Sequence, residues 1–137
     1  MWLRQKSFLR KEHAMSKLAF IFPGQGAQKA GMGKDFYENS EAARSFFDQA
    51  QKILDFDLKE MCFGEHEELN LTEYTQPCMV SVCLAIVQEL KKRGINPDIT
   101  AGLSLGEYAA VAAAGGMNEL DAIKLVRRRG ILMQSTG

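Results

Sequence analysis

The sequence predicts an α/β fold in which helices flank a short parallel sheet. Two apolar runs, at residues 17–22 and 99–103, have the length of buried strands, and the sequence between them has helical periodicity. Strand, helix, strand and helix in succession, without an internal repeat, indicate a layered domain with parallel strands. Because two strands make a poor sheet and the sequence stops directly after a predicted helix, we expect the chain to hold only part of such a domain.

The first strand and the first helix are each predicted by a local pattern. The strand, residues 17–22, is stopped by Pro23 and Gly24, which favour a loop at its carboxyl end. The helix is predicted over residues 41–54, where apolar residues recur at steps of three and four and form one inward face. These residues are Ala43, Phe46, Phe47, Ala50, Ile53 and Leu54.

A second helix is predicted over residues 77–93. Its apolar positions cover more than half of the circumference, so we expect it to be largely enclosed. Pro77 suits the first turn, where a missing N–H costs nothing. Gly94, which follows three basic residues, suits the end of the helix.

Turn residues separate the remaining elements. Asn96 and Pro97 break the chain before the second strand at residues 99–103. A helix is predicted from about residue 105 to 114, and its many alanines would let it pack closely against a sheet. Asn118 is predicted to cap the last helix.

Charge and hydropathy argue against two classes of partner. Lys plus Arg equals Asp plus Glu at 17 each, which leaves no basic excess to neutralise the phosphates of nucleic acid. The longest apolar stretches, such as residues 79–87, are much shorter than the roughly 20 residues that cross a bilayer. We therefore expect neither a nucleic-acid nor a membrane partner.

Cysteine and histidine residues are few and scattered. Cys62, Cys78 and Cys83 form no C-x-x-C pair and lie in apolar sequence, as expected of reduced, buried thiols in a cytoplasmic protein. Only His13 and His66 could add metal ligands, and neither has zinc-finger spacing. We therefore expect a cytoplasmic protein without a metal site.

The amino-terminal segment differs in composition from the rest of the chain. Residues 1–14 carry four basic side chains and one acidic one, and they lack the continuous apolar segment of a secretory signal. A transit peptide is one interpretation; we favour an extension that precedes a functional start at Met15. The predicted organisation is an extension over residues 1–14, outside the fold, and a partial domain over residues 15–137.

A serine lies between two glycines at residues 102–106, which read G-L-S-L-G. This G-x-S-x-G pattern is typical of a strained strand-to-helix turn that lifts a serine hydroxyl out of the backbone. The helix N-terminus would also place backbone N–H groups beside an oxyanion formed at Ser104. The alternative is a glycine-bracketed turn in which Ser104 only caps the helix.

A loop with two glycines, F-P-G-Q-G at residues 22–26, follows the first strand. A loop at the carboxyl end of a strand can direct backbone donors toward a ligand. A dinucleotide fingerprint would need Gly or Ala at position 29, where Lys29 stands, so a Rossmann site is disfavoured. A plain turn is the alternative.

Three arginines lie together in the last predicted helix, and their neighbours distinguish them. The residues three and four positions from Arg129 are all apolar, whereas Arg127 and Arg128 both have Lys124 as a neighbour. Arg129 is therefore predicted to lie in the inward stripe, where a guanidinium needs an acceptor. A ligand carboxylate and a buried structural ion pair are the two alternatives.

Four stretches of the sequence together are more specific than any one of them. They are F-P-G-Q-G at 22–26, T-x-x-T-Q-P at 72–77, G-L-S-L-G-E-Y at 102–108 and R-G-x-x-M at 129–133. In this order they closely resemble the amino-terminal part of malonyl-CoA:acyl carrier protein transacylases. The resemblance implies an α/β-hydrolase-like large subdomain interrupted by a ferredoxin-like small one. This chain would hold the first portion of the large subdomain, and the small one would be absent.

The resemblance also implies roles for four residues. Ser104 would attack the thioester of malonyl-CoA, and the backbone N–H groups of Gln25 and Leu105 would form the oxyanion hole. Arg129 would bind the free malonyl carboxylate, which accounts for a preference over acetyl groups. The phosphopantetheine thiol of acyl carrier protein would then take the malonyl group. Malonyl-CoA is a substrate in this scheme, and neither a metal nor a bound cofactor is needed.

The sequence departs from the family pattern in two ways. Leu103 stands where many relatives carry histidine, and we expect this change to alter packing and pocket polarity more than mechanism. The family's general base is a histidine from the carboxyl-terminal half, and neither His13 nor His66 matches a family motif. We expect His66 to be an exposed loop residue. The chain is therefore expected to be a truncated form with poor solubility and no transfer activity alone.

Two other functions stay open at this point. A serine esterase of the α/β-hydrolase class would share the turn at Ser104 but would release acyl groups to water. It would not explain Arg129 or the loop at residues 22–26. A non-catalytic fragment that binds acyl carrier protein or an acyltransferase would instead have an unreactive Ser104.

Overall fold

Residues 16–137 are described by a computed structural model, so the extension predicted over residues 1–14 lies outside the described residues. The chain folds into helices and a short parallel sheet, which confirms the predicted α/β class. The elements are β1 (Ala19–Phe22), α1 (Lys34–Asn39), α2 (Glu41–Ile53), α3 (Leu58–Phe63), a 3-10 helix (Glu67–Asn70), α4 (Thr72–Lys92), β2 (Ile99–Gly102), α5 (Gly106–Ala113) and α6 (Glu119–Thr136).

The two strands form the short parallel sheet that the sequence predicts. Ala19 lies opposite Ile99 and Phe22 opposite Gly102, so the carboxyl ends of both strands meet at one edge. The prediction that the first strand is buried is wrong, because Ile21 is 78% exposed, and Ile99 in β2 is also 61% exposed. Within the described residues the helices cover only the other face, which carries Phe22, so alternate side chains of each strand stay exposed.

Helix α4 is the central element, and it begins earlier than predicted. It starts at Thr72, so Pro77 lies inside the helix and the placement of this proline in the first turn is wrong. Pro77 has no N–H to donate to the Glu73 carbonyl four residues before it. Arg127 Nη1 from α6 donates to that carbonyl at 2.8 Å instead. A distant side chain thus replaces the missing helical hydrogen bond and lets α4 pass through the proline.

Helix α6 packs along α4, and its start is the predicted one. Asn118 Oδ1 accepts hydrogen bonds from the N–H groups of Leu120 and Asp121 at 3.0 and 3.1 Å. At Gly130 the two helices are in backbone contact, since a Cβ there would lie 2.9 Å from the Glu73 Cα. This close approach brings the arginines of α6 onto the first turns of α4.

The cysteines are free thiols, as the sequence predicts. Cys62 and Cys78 are buried, and a hydrogen bond with Cys78 together with burial raises the pKa of the Cys62 thiol. Cys83 is partly buried, and loss of solvent raises its pKa to about 11. Across residues 16–137, no helix is both long and apolar enough to span a bilayer.

Candidate active site

The serine turn joins β2 to α5, as its sequence pattern predicts. Ser104 has φ 50°, and among the described residues it is the one non-glycine with a positive φ. The flanking glycines are required by close packing. A Cβ on Gly102 would lie 2.1 Å from Gly106 backbone atoms, and a Cβ on Gly106 would lie 2.4 Å from the Phe22 carbonyl oxygen. The turn is therefore strained at the serine and compressed on both sides.

The Ser104 hydroxyl does not cap the following helix. The residue preceding α5 is Leu105, and no side chain caps the first turn of the helix. The Ser104 side chain is exposed, and its Oγ accepts a long hydrogen bond of 3.4 Å from Arg129 Nη2. The capping alternative is thereby excluded, and the hydroxyl is available at the surface of the molecule.

Arg129 reaches this hydroxyl from α6. Its Nη1 donates to Gln76 Oε1 at 2.9 Å, and its guanidinium carbon lies 5.2 Å from the centroid of the Tyr108 ring. Within the described residues, Arg129 forms no ion pair with a carboxylate. A half-buried guanidinium therefore presents unused N–H donors beside an exposed serine hydroxyl.

The environment predicted for Arg129 needs correction. Leu125, Leu132 and Met133, which were expected to mark an inward stripe, are all exposed. The buried face of α6 instead consists of Ala122, Ile123, Val126 and Gly130. Arg129 therefore lies half-buried at the border of this buried face, where a solute can reach it.

Arg127 is the more enclosed of the two, contrary to the prediction from neighbour counting. Its side chain is 13% exposed and forms a structural ion pair with Asp55 and Glu73. The buried structural ion pair was one of the two alternatives for Arg129. The structure shows such a pair at Arg127 instead.

The T-x-x-T-Q-P stretch at the start of α4 forms hydrogen bonds to two other parts of the chain that carry site residues. Thr72 Oγ1 accepts a hydrogen bond from Gln25 Nε2 at 2.9 Å, and the Thr72 N–H donates to Gln134 Oε1 at 2.8 Å. Thr75 Oγ1 donates to the Leu69 and Leu71 carbonyls. The stretch therefore connects the loop after β1 to the helix that carries Arg129.

Gln76 and Tyr108 are site residues that the sequence analysis did not single out. Gln76 is fully buried, and its Nε2 donates to Met133 Sδ at 3.3 Å while its Oε1 holds Arg129. Both residues lie inside the quoted motifs. Tyr108 lies at the start of α5, four positions after Ser104, so the ring and the serine turn are close in sequence.

The loop that carries Gln25 lies against the serine turn. A Cβ on Gly24 would be 2.8 Å from the Leu103 carbonyl oxygen, and the Leu103 N–H donates to the Phe22 carbonyl at 3.2 Å. Leu105 is buried, whereas Leu103 is 73% exposed. Over residues 16–137, the backbone N–H groups of Gln25 and Leu105 donate to no protein acceptor.

Histidine is not part of this cluster. His66 precedes the 3-10 helix and is half-buried, and its Nε2 pairs with Glu60 Oε1 at 2.9 Å. The expectation of an exposed loop residue is therefore only partly correct, and His13 lies outside the described residues. In the described part of the chain, no group of three or more His, Cys, Asp or Glu residues is arranged to hold a metal ion.

Known proteins share both the sequence and the fold. Residues 19–137 match a family model described as the acyl transferase domain. The malonyl CoA-acyl carrier protein transacylase of Bacillus subtilis (strain 168) is 48% identical over 120 residues, which make up 87% of this chain and 38% of the relative. The chain therefore spans about 38% of the length of this curated relative.

Solved structures give the same result. The crystal structure of malonyl CoA-acyl carrier protein transacylase from Clostridium perfringens ATCC 13124 superimposes with a TM-score of 0.82 at 45% identity, covering 87% of this chain and 38% of that one. A complex described as a type II PKS acyl-carrier protein with its malonyl-transacylase gives a TM-score of 0.83 at 39% identity, covering 89% of this chain and 40% of that one. Since the family match extends over most of the residues, the chain belongs to the acyl transferase domain family.

Proposed function

We propose that this chain takes part in the transfer of a malonyl group from malonyl-CoA to the phosphopantetheine thiol of acyl carrier protein, in fatty acid synthesis. The observation that carries the proposal is the 3.4 Å separation between Arg129 Nη2 and the Oγ of a serine held at φ 50°. A nucleophile and a carboxylate receptor this close together fit an acyl group with a carboxylate near its reacting carbonyl. The names of the relatives support the same substrates.

The proposed reaction has two acyl transfers. Ser104 Oγ forms a bond to the thioester carbonyl carbon and gives its proton to a general base. The carbon–sulfur bond then breaks, and coenzyme A leaves as a thiol. The thiol of acyl carrier protein attacks the resulting serine ester, and the proton returns to Ser104. No step needs an oxidant, a metal or a bound cofactor.

The oxyanion of each tetrahedral intermediate is proposed to bind the N–H groups of Gln25 and Leu105. These two groups have no protein acceptor within residues 16–137, so they are free to donate. The side chain of Gln25 is held by Thr72, which fixes the loop before a ligand arrives. Donors that are already oriented lower the energy of a developing negative charge.

Arg129 is proposed to select dicarboxylic acyl groups. An acetyl group would leave the half-buried guanidinium donors unpaired, whereas a malonyl carboxylate would accept from them. The general base is proposed to come from outside residues 16–137, because His66 is engaged by Glu60 and does not contact Ser104.

We also propose a domain organisation for the chain and a location in the cell. Residues 15–137 would form part of an α/β-hydrolase-like large subdomain that does not include the ferredoxin-like small subdomain, and residues 1–14 would lie outside the fold. Acyl carrier protein is the proposed partner. The three free cysteines support a reducing, cytoplasmic location.

The test is acylation of Ser104 by malonyl-CoA, with imidazole added as a substitute base. Intact-mass measurement and peptide mapping should locate one malonyl group on Ser104, formed faster with imidazole than without it. Ser104→Ala serves as the control for the direct reaction of imidazole with the thioester. Labelling that survives Ser104→Ala, or equal labelling by acetyl-CoA and malonyl-CoA, would contradict the proposal. Rapid release of the acyl group to water would instead favour an esterase.

A further inference from the structure

The nucleophile and the support of the carboxylate receptor lie on the same short segment. Tyr108 is in α5, four positions after Ser104, which lies in the turn before that helix. Its ring lies beneath the Arg129 guanidinium at 5.2 Å from the centroid. A planar cation over an aromatic face is attracted to it, and the attraction grows where water is excluded. The position of the ring relative to Ser104 is therefore set by the serine turn and the first turn of α5.

Three contacts together fix the orientation of the guanidinium. The buried Gln76 amide accepts from Nη1, the Ser104 hydroxyl accepts from Nη2, and the Tyr108 ring covers one face. Gln76 is itself held, because its other amide atom donates to Met133 Sδ. Gln76 and Ser104 each accept from one N–H in the plane of the guanidinium, and the other N–H groups in that plane have no acceptor within residues 16–137. A carboxylate binds best to N–H groups in that plane.

This arrangement limits the length of an acyl group that can bridge the two residues. Arg129 Nη2 is 3.4 Å from Ser104 Oγ, so a carboxylate on the guanidinium and a carbonyl at the hydroxyl must be close together. A malonyl group has one methylene between its carbonyl and its carboxylate, whereas a succinyl group has two. Each added methylene would require Arg129 to move away from Ser104, and such movement would separate the guanidinium from the Tyr108 ring and from Gln76.

We propose that Tyr108 is a positioning residue that keeps Arg129 close to Ser104 and so restricts the site to acyl groups of malonyl length. This inference rests on the proposed function, in which Arg129 receives the acyl carboxylate. Tyr108 acts through Arg129 and does not itself contact the acyl group.

The experiment measures ligand length preference in the full 137-residue chain without any chemical step. The probes are monomethyl malonate and monomethyl succinate, each of which has one carboxylate and one ester carbonyl. Binding is followed by the NMR signals of the Arg129 side-chain N–H groups. The parent chain should bind the malonate ester more tightly than the succinate ester.

Three variants test the part played by the ring. Tyr108→Leu should reduce the preference for the malonate ester by roughly fivefold to tenfold, which corresponds to the loss of one partly desolvated cation–π contact. Tyr108→Phe keeps the ring face and should retain the preference of the parent. Tyr74→Leu is the matched control, because Tyr74 stacks on Arg127 at a similar distance, 5.0 Å, away from Ser104. It should leave the length preference unchanged.

The outcomes separate this inference from the proposed function. An unchanged preference in Tyr108→Leu, an equal loss in Tyr108→Phe, or no length preference in the parent would overturn the role of Tyr108. Normal length preference in a chain whose Ser104 cannot be acylated would support the inference and contradict the proposed chemistry. Circular dichroism of each variant would establish that the chain is folded before binding is measured.

Discussion

Two arginines on α6, two positions apart, have opposite surroundings. Arg127 donates to both carboxylate oxygens of Asp55 at 2.9 and 3.1 Å and to the Glu73 carbonyl at 2.8 Å. Its guanidinium carbon also lies 5.0 Å from the centroids of both the Phe56 and Tyr74 rings. Arg129 has one amide, one hydroxyl and one ring, and no carboxylate among the described residues.

The difference indicates which arginine can bind a ligand. The donors of Arg127 are occupied by protein acceptors and two aromatic rings lie against its guanidinium, so it contributes to the stability of the fold. Arg129 is fixed in orientation by neutral partners, while its positive charge stays uncompensated within the described residues. An arginine held in this way is prepared for an anion, because binding does not require it to leave a protein carboxylate.

The largest expected effect is the loss of carboxylate recognition in Arg129→Ala. The affinity for monomethyl malonate should fall by roughly 100-fold, because charge-assisted hydrogen bonds to the carboxylate are lost. The free energy of unfolding should fall by about 1 to 2 kcal/mol, less than in Arg127→Ala, because no ion pair is broken but the buried Gln76 Oε1 loses its donor. Calorimetric titration and urea unfolding check the two parts. A large loss of stability with unchanged affinity would reverse the roles assigned to the two arginines.

Arg127→Ala should have the reverse effect. The free energy of unfolding should fall by about 2 to 3 kcal/mol, because the Glu73 carbonyl loses its donor and two rings lose their cation. The salt bridge itself adds little to this figure, since the Asp55 side chain is 69% exposed. Arg128→Ala is the control on the exposed side of the same helix and should change stability by no more than about 0.5 kcal/mol. Urea unfolding curves for both variants test this prediction, and equal losses of stability would contradict it.

A double-mutant cycle would isolate the hydrogen bond that replaces the one missing at Pro77. In Pro77→Ala, an N–H becomes available for the Glu73 carbonyl, so Arg127→Ala should cost about 1 kcal/mol less in that background. Additive effects of the two substitutions on the free energy of unfolding would contradict the idea that Arg127 compensates for the proline. Thr75→Ser in the same helix provides a background that leaves the proline in place.

The elements of the fold that were predictable from the sequence are those with a local sequence signal. Helices α2 and α6, both strands and the Asn118 cap were predictable because each has a local signal: periodicity, an apolar run or a capping side chain. Helices α1 and α3 have six residues each, too few turns for periodicity to appear. The start of α4 was missed because its interior proline depends on Arg127, which is 54 positions from the Glu73 carbonyl to which it donates.

The site was only partly predictable, because some of its contacts join residues on different helices. The motifs identified Ser104 and Arg129, and the structure brings these two side chains together. The burial of each arginine was misjudged because neighbour counting treats every apolar residue as inward, whereas Leu132 and Met133 are exposed. Gln76 contacts Arg129 only through packing of α4 against α6, which no spacing along one helix reveals.

The smallest expected effect concerns the carboxylate that pairs with Arg127. The hydrogen bond from Arg127 lowers the pKa of Asp55 below its ordinary value. A lowered folded-state pKa stabilises the fold above the unfolded-state pKa of about 3.9, and this contribution is lost as the pH falls through the folded-state value. Asp55→Asn should therefore destabilise the chain at pH 7 by less than about 1 kcal/mol, and the difference should vanish in acid. Urea unfolding of both proteins from pH 7 down to about pH 3 tests this sign, and a difference that grows in acid would contradict it.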